Sequence, residues 1–146
     1  MLGAVLATTL LYLAIKNSVG NLSDFGAHGV NTDIVDGNGG PLVIEIVLTA
    51  ALVSMIFAVA VSKRGFGVMA PLAIGLTVML VHFVAVFMTG ASVNPARTFG
   101  PALVSNAFDS FWAYLLGPAI GAVLAGALYH HGFLPSEGEP VAESGA

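Results

Sequence analysis

Residues 89–103 read TGASVNPARTFGPAL and contain an asparagine, Asn94, and the stretch's single charged residue, Arg97. Asn94 followed by Pro95 predicts the start of a helix, because an asparagine side chain accepts N–H groups of the first turn and proline at the first helical position loses no hydrogen bond. The predicted helix, residues 95–104, is about 15 Å long, half of a ~30 Å hydrocarbon core. The five residues before Asn94, residues 89–93, are called the re-entrant leg below and cover about 16 Å if they are extended. The chain can therefore enter a membrane as far as its midplane and return.

A re-entrant segment of this kind needs protein or water around its backbone, because lipid offers no hydrogen bonds. The helix start places the positive end of its dipole at the midplane, where it repels cations and attracts acceptor atoms such as a water oxygen. An ordinary capped surface helix is the alternative, since Asn-Pro is a common turn signal. Arg97 favours the re-entrant interpretation, because a charge inside a membrane segment indicates function.

The composition indicates an integral membrane protein. Of the 146 residues, 57% are hydrophobic and 8% are charged, which is too little charge to cover a soluble domain. The net charge is −4 and the four basic residues form no patch, which argues against nucleic acid as a partner. There are no cysteines, so disulfides and thiolate metal sites are excluded. We expect no metal and no other cofactor.

Apolar runs predict one transmembrane domain, residues 1–134, with a half-helix at 95–104 and spans at about 1–16, 41–62, 68–88 and 110–130. The first run is short for a span, and we interpret it as a helix that lacks its start; a signal peptide is the weaker alternative because no basic segment precedes it.

The connecting segments predict the topology. Residues 17–40 are rich in Gly, Asn and Asp and predict an external loop, in which we expect His28 to be solvated. The basic turn at 63–67 predicts a cytoplasmic side. Residues 135–146 predict a disordered cytoplasmic tail.

Glu45 and His82 are polar residues within the predicted spans 41–62 and 68–88. Glu45 either reaches the membrane interface or faces inward, where its carboxylate would accept hydrogen bonds from bare N–H groups of the re-entrant loop. A lone histidine such as His82 is usually a packing residue in an apolar helix. An intramembrane enzyme that uses these two residues is disfavoured, because no nucleophile, metal set or second acid lies at a useful spacing. We expect no enzymatic activity.

Residues 92–102, SVNPARTFGPA, resemble the second Asn-Pro-Ala box of the aquaporin (major intrinsic protein) family, and they lie between two long apolar segments as in that family. The similarity runs from residue 1 to about residue 134 and matches only the later part of the family pattern, from helix three to helix six. It implies an all-α integral membrane fold, a right-handed helical bundle with a re-entrant half-helix and inverted repeats, of which about half to two-thirds is present. The first two helices and the first box have no counterpart, so the resemblance implies an incomplete channel.

The resemblance also implies roles for individual residues. It assigns the pore midplane to Asn94, Pro95 and Ala96, the selectivity filter to His82, Ala91 and Arg97, and pore-lining carbonyls to Gly90, Ala91 and Ser92. It implies that Glu45 supports the loop. As markers of water over glycerol it offers Thr98, Ala102 and Tyr114, whereas Leu115 is typical of glycerol channels. In the implied mechanism a water molecule accepts hydrogen bonds from Asn94, Arg97 and His82.

These roles predict a passive water channel in the cell membrane that excludes protons and cations. The expected partners are water and the lipid bilayer, with a missing amino-terminal half and, by family resemblance, a homotetramer. Two alternatives stay open. One is a non-conducting membrane protein or assembly partner with an aquaporin-derived fold, and the other is a facilitator for glycerol or another small neutral solute.

Overall fold

The computed structural model describes residues 1–15, 25–37, 39–62 and 67–132, and this part of the chain is helical with no strand. Its helices, in chain order, are α1 (Leu2–Ile15), α2 (Gly40–Ile56, continued by a π-helical turn at Phe57–Val61), α3 (Ala70–Thr89, preceded by a 3-10 turn at Gly67–Met69), α4 (Pro95–Ser105) and α5 (Phe111–Gly132). The all-α membrane fold predicted from the sequence is therefore confirmed.

Three of the helical segments are long and apolar enough to cross a membrane. They are Gly40–Val61, Gly67–Thr89 and Phe111–Gly132, with 22, 23 and 22 residues. At about 1.5 Å per residue each is longer than a ~30 Å hydrocarbon core. Leu2–Ile15 is apolar but shorter. That these segments span a membrane stays a prediction. The predictions for residues 17–24 of the loop, for residues 63–66 of the basic turn and for the carboxyl-terminal tail lie outside the described residues.

Small residues let α5 approach α2 closely. A Cβ atom added at Gly117 would lie 2.6 Å from the Cβ atom of Glu45. One turn further along α5, a Cβ atom at Gly121 would collide with the carbonyl oxygen of Ile46. The sequence pattern Gly117, Gly121 and Ala125 predicts this kind of contact, because small residues four apart share one helix face. The resulting helix pair holds Glu45 in the interior.

The half-spanning helix α4 packs on α1 and α5. A Cβ atom at Gly100 would lie 2.6 Å from the backbone carbonyl of Ala4, so the two backbones are in near contact. The outer faces of α1, α3 and α5 expose large apolar side chains such as Leu10, Phe83 and Val123. Exposed apolar helix faces of this extent are typical of surfaces that meet lipid.

Candidate pore-lining site

The site is built around the start of α4. Helix α3 ends at Thr89, and Gly90 follows it in the left-handed conformation with φ of 82°. The chain then runs without helix to Asn94, whose side-chain oxygen accepts hydrogen bonds from the N–H groups of Ala96 (2.9 Å) and Arg97 (3.3 Å). Asn94 therefore caps α4, as the Asn-Pro signal predicts, and the helix is a single residue longer than expected, ending at Ser105.

The leg between α3 and α4 is not the extended segment that the sequence suggests. Thr89 is still helical, and Ala91 and Val93 have φ values of 52° and 44°. A non-glycine residue in the left-handed region costs about 1–3 kcal/mol and persists only when its surroundings hold it there. The surroundings in this case are hydrogen bonds that draw the N–H groups of the leg inward.

Glu45 accepts from two of the four N–H groups of residues 91–94 and also binds the Thr89 hydroxyl. Its side chain is fully buried, and its Oε1 atom accepts from the Thr89 hydroxyl (3.0 Å) and from the N–H of Ser92 (3.0 Å). Its Oε2 atom accepts from the N–H of Val93 (2.8 Å). The carboxylate thus faces the re-entrant leg and does not reach the membrane interface.

Hydroxyl groups accept the two remaining N–H groups of the leg. The Thr89 hydroxyl accepts from the N–H of Ala91 (3.3 Å), and the Ser92 hydroxyl accepts from the N–H of Asn94 (3.3 Å). The Ser92 hydroxyl donates to the carbonyl of Asn94 (3.0 Å) and also contacts the Thr98 hydroxyl. Because a hydroxyl donates only one hydrogen, Thr98 is the donor in that contact. Thr98 is therefore part of the support of the leg.

Four backbone carbonyls of the leg accept no hydrogen bond from any residue that the structure describes. Each N–H group from residue 91 to residue 94 donates to a side chain, whereas no described residue donates to the carbonyl oxygens of residues 90–93. A buried carbonyl normally has a hydrogen-bond partner. Carbonyls that accept from no described residue are suited to accept hydrogen bonds from a small polar molecule.

The Arg97 guanidinium is held by the loop of residues 25–37, which precedes α2. Its NH1 group donates to the carbonyl of Gly26 (2.9 Å) and to the Nδ1 atom of His28 (3.0 Å). Only 6% of the His28 surface is exposed, so the expectation of a solvated loop histidine is wrong. Sequence analysis missed this residue because 69 positions separate it from Arg97 and no local pattern connects them.

The contact with Arg97 determines the protonation of His28. A guanidinium only donates hydrogen bonds, so Nδ1 must be the acceptor and the ring is neutral with its proton on Nε2. Burial, followed by electrostatic interactions with Arg97 and His82, lowers the pKa of His28 from 6.5 to about 3. The ring also lies against Gly90, where an added Cβ atom would come within 2.7 Å of its Cδ2 atom.

His82 is placed differently from the implied mechanism. Its Nδ1 atom is 2.7 Å from the carbonyl oxygen of Val78, one turn earlier in α3. A carbonyl only accepts, so Nδ1 carries the proton, and in the neutral ring Nε2 is an acceptor. A neutral His82 would therefore accept a hydrogen bond from water, whereas the implied mechanism has it donate one. No hydrogen bond is found between His82 and Arg97, both of which lie in the described part of the chain.

The remaining predicted residues differ in how deeply they are buried. Ala91, Ala102 and Tyr114 have no exposed surface, and the Tyr114 hydroxyl donates to the carbonyl of Thr89 (2.8 Å). Leu115 is 41% exposed, since consecutive residues of a helix point about 100° apart. Pro95 and Ala96 lie half-buried at the start of α4. Tyr114 is therefore a structural neighbour of the re-entrant leg, whereas Leu115 is on the outside of α5.

The fold and the site together define an all-α membrane protein in which a half-spanning helix is supported by a buried glutamate. The family model described as Major intrinsic protein matches residues 1–129. This chain belongs to the major intrinsic protein family.

Similar curated proteins are aquaporins. The chain is 44% identical to aquaporin-4 of Rattus norvegicus over 136 residues, which is 92% of this chain and 41% of that protein. It is 43% identical to aquaporin-4 of Homo sapiens over 136 residues, with 92% and 41% covered. With aquaporin-5 of Rattus norvegicus it shares 41% identity over 139 residues, or 93% of this chain and 51% of that protein. The chain thus spans about half the length, or less, of these relatives.

Proposed function

We propose that this chain supplies one wall of a membrane pore for water. The observation that carries the proposal is the hydrogen-bonding pattern of the re-entrant leg: all N–H groups from residue 91 to 94 bind side chains, and the carbonyls of residues 90–93 accept from no described residue. Arg97, four residues after Val93, is an exposed side chain with N–H donors, and Asn94 is exposed at the start of α4. Water both donates and accepts, so a line of acceptors beside separate donors matches its chemistry.

The start of α4 and Arg97 would also exclude cations and hydrated protons from the proposed pore. The start of α4 carries the positive end of the helix dipole, and Arg97 adds a full positive charge two residues after Pro95. Both raise the energy of a cation or a hydrated proton at this point of the pore. Water is neutral and meets no such barrier. The pore would transport water passively, with no chemical change of the solute.

The similarity to aquaporins supports this function, and two further proposals rest on it. The first is that the protein crosses the cell membrane several times with residues 25–37 outside, as the basic pair Lys63 and Arg64 on the opposite side suggests. The second is assembly as a homotetramer.

Reconstitution tests the proposed function. The protein to use is a chimaera in which the amino-terminal half of rat aquaporin-4 precedes Met1, called the completed channel below. Stopped-flow light scattering of proteoliposomes should show rapid water flow with little glycerol or proton flux. The matched variant Arg97→Ala should conduct water and lose the discrimination. Water flow equal to that of empty vesicles would rule the proposal out.

Replacement of His82 by glycine is expected to widen the pore and admit glycerol. The half-buried imidazole interacts electrostatically with His28, and His28 binds Arg97, so removal of the His82 imidazole is expected to open space on this side of the proposed pore. Glycerol uptake by proteoliposomes with the completed channel is the measurement. His131→Gly, at the end of α5, is the control and should leave uptake low. Unchanged uptake by a folded His82→Gly variant would mean that His82 does not face the pore.

The stability of the protein is expected to fall as the pH is lowered from about 6.5 toward 3, and His28 is one cause. Its pKa is lowered in the folded state, so between these pH values the unfolded chain binds a proton that the folded chain does not, and stability increases with pH. The groups that face His28 and disfavour its charge are Arg97 and His82.

His28→Asn isolates this contribution, because asparagine keeps an acceptor for Arg97 and does not ionise. Thermal unfolding of the completed channel at pH 7.5 and pH 5.0 is the measurement, with exposed His131→Asn as the control. The variant should lose less stability between the two pH values than the wild type. Equal losses would show that His28 is not held neutral.

A further inference from the structure

Tyr114 connects the two polar parts of the proposed pore. Its side chain is fully buried, and its hydroxyl donates to the carbonyl of Thr89 at 2.8 Å. Its ring lies against the ring of His28, with the centroids 5.2 Å apart. One side chain from α5 therefore contacts both the end of α3 and the loop that holds Arg97.

The hydroxyl of Tyr114 restrains Thr89. This residue directly precedes the carbonyl wall, which is the set of carbonyls of residues 90–93. Thr89 is the last residue of α3, and the carbonyls at a helix end have no partner within the helix. Tyr114 supplies the missing donor. The hydroxyl of Thr89 at the same time donates to Glu45 and accepts from the N–H of Ala91. A shift of Thr89 would therefore change the direction of the carbonyls that follow it.

The ring of Tyr114 restrains His28, which holds Arg97 of the proposed selectivity filter. His28 lies between this ring and Gly90, and its Nδ1 atom holds the Arg97 guanidinium. An added Cβ atom at Gly90 would come within 2.7 Å of the His28 ring, so there is little space for the imidazole to move in that direction. The position of the Tyr114 ring therefore limits where His28 and Arg97 can lie.

We propose that Tyr114 is a positioning residue for selectivity, which acts through Thr89 and His28 to set the distance between the carbonyl wall and Arg97. It does not touch the solute itself, since it has no exposed surface. This inference rests on the proposed function. It gives a physical reason for an aromatic residue with a hydroxyl at this position, beyond its value as a marker of water channels.

Tyr114→Phe in the completed channel tests the proposal, because it removes the hydroxyl and keeps the ring. The measurement is the ratio of glycerol to water permeability in the same proteoliposomes, which does not depend on the amount of folded channel. The ratio should rise roughly two- to tenfold, the range expected when one neutral hydrogen bond no longer restrains the site. Tyr129→Phe, near the other end of α5 and stacked on Phe57, is the matched control and should leave the ratio unchanged.

A second variant covers the case in which Tyr114→Phe yields too little folded channel. Thr89→Val keeps the carbonyl that Tyr114 binds and removes the hydroxyl that passes the restraint to Ala91, so the ratio should rise here as well. An unchanged ratio in a folded Tyr114→Phe channel, or in Thr89→Val when only that variant folds, would overturn the inference. A wild-type completed channel without water flow would instead refute the proposed function.

Discussion

Glu45→Gln is expected to destabilise the protein by about 3 kcal/mol or more and to reduce water flow through the completed channel at least about tenfold, since hydrogen bonds to a charged group contribute about 1.5–3 kcal/mol each. The carboxylate of Glu45 accepts three hydrogen bonds, from Thr89 and Ser92 on one oxygen and from Val93 on the other. Glutamine has only one acceptor oxygen. In either orientation the glutamine NH₂ group would replace one carboxylate oxygen. It would then face the N–H or O–H donors from which that oxygen accepts hydrogen bonds.

The consequence for conduction follows from the backbone strain of the leg. Ala91 and Val93 are left-handed, which is unfavourable for residues with a side chain. If Val93 or Ser92 loses its acceptor, the leg can relax to a conformation with negative φ. The carbonyls of residues 90–93 would then point in other directions, and the acceptors proposed for water would be lost.

Thermal unfolding and stopped-flow vesicle shrinkage measure the two effects separately. Asp33→Asn is the matched control, because it makes the same chemical change at an exposed carboxylate. It should leave both quantities near their wild-type values. A Glu45→Gln variant with wild-type unfolding temperature and wild-type water flow would contradict the assignment of Glu45 as the support of the leg.

The sequence predicts the helices and the start of α4 well, for local reasons. Long apolar runs identify α2, α3 and α5 because membrane spans need about 20 such residues. Asn94 before Pro95 identifies the start of α4 because capping depends on neighbouring residues. The inward direction of Glu45 is different, since its partners lie 44 to 48 positions away, and the residues alone leave both directions open. Family resemblance favoured the direction that the structure has.

Three features of the site were not accessible from the sequence. Alanine and valine give no sign of left-handed backbone, so the conformation of Ala91 and Val93 follows only from the hydrogen bonds that pull on the leg. His28 has no local pattern that connects it with Arg97. The proton of His82 is assigned by its distance to the carbonyl of Val78, which becomes known only when the helix is built. In each case the determining contact depends on the three-dimensional structure.

The 146-residue chain by itself is expected to conduct no water, whereas the completed channel conducts. Asn94 and Arg97, the two donors proposed for the pore, have exposed surface, and α4 packs on α1 and α5. The carbonyls of residues 90–93 have no donor among the described residues. In a bilayer these groups would meet lipid, and an unsatisfied polar backbone group in hydrocarbon costs several kcal/mol. A second wall with its own polar groups would line the opposite side and keep water in the pore.

An inverted pair of identical chains is the arrangement that could provide a second wall without another protein. It requires the two copies to insert in opposite orientations. The basic pair Lys63 and Arg64 favours one orientation for every copy, because positive residues remain on the cytoplasmic side. We therefore expect the second wall to come from a different segment, such as the amino-terminal half supplied in the completed channel.

Stopped-flow measurements of vesicle shrinkage on three preparations test whether the short chain conducts water by itself. The 146-residue chain alone should match empty vesicles, and the same chain reconstituted together with the separate amino-terminal half of aquaporin-4 should conduct, as should the completed channel. Because that half could leak by itself, each preparation is repeated with Arg97→Ala, whose glycerol flux identifies a pore lined by this chain. Rapid water flow through the short chain alone, with glycerol excluded until Arg97 is replaced, would show that one re-entrant half-helix is enough to form a selective pore.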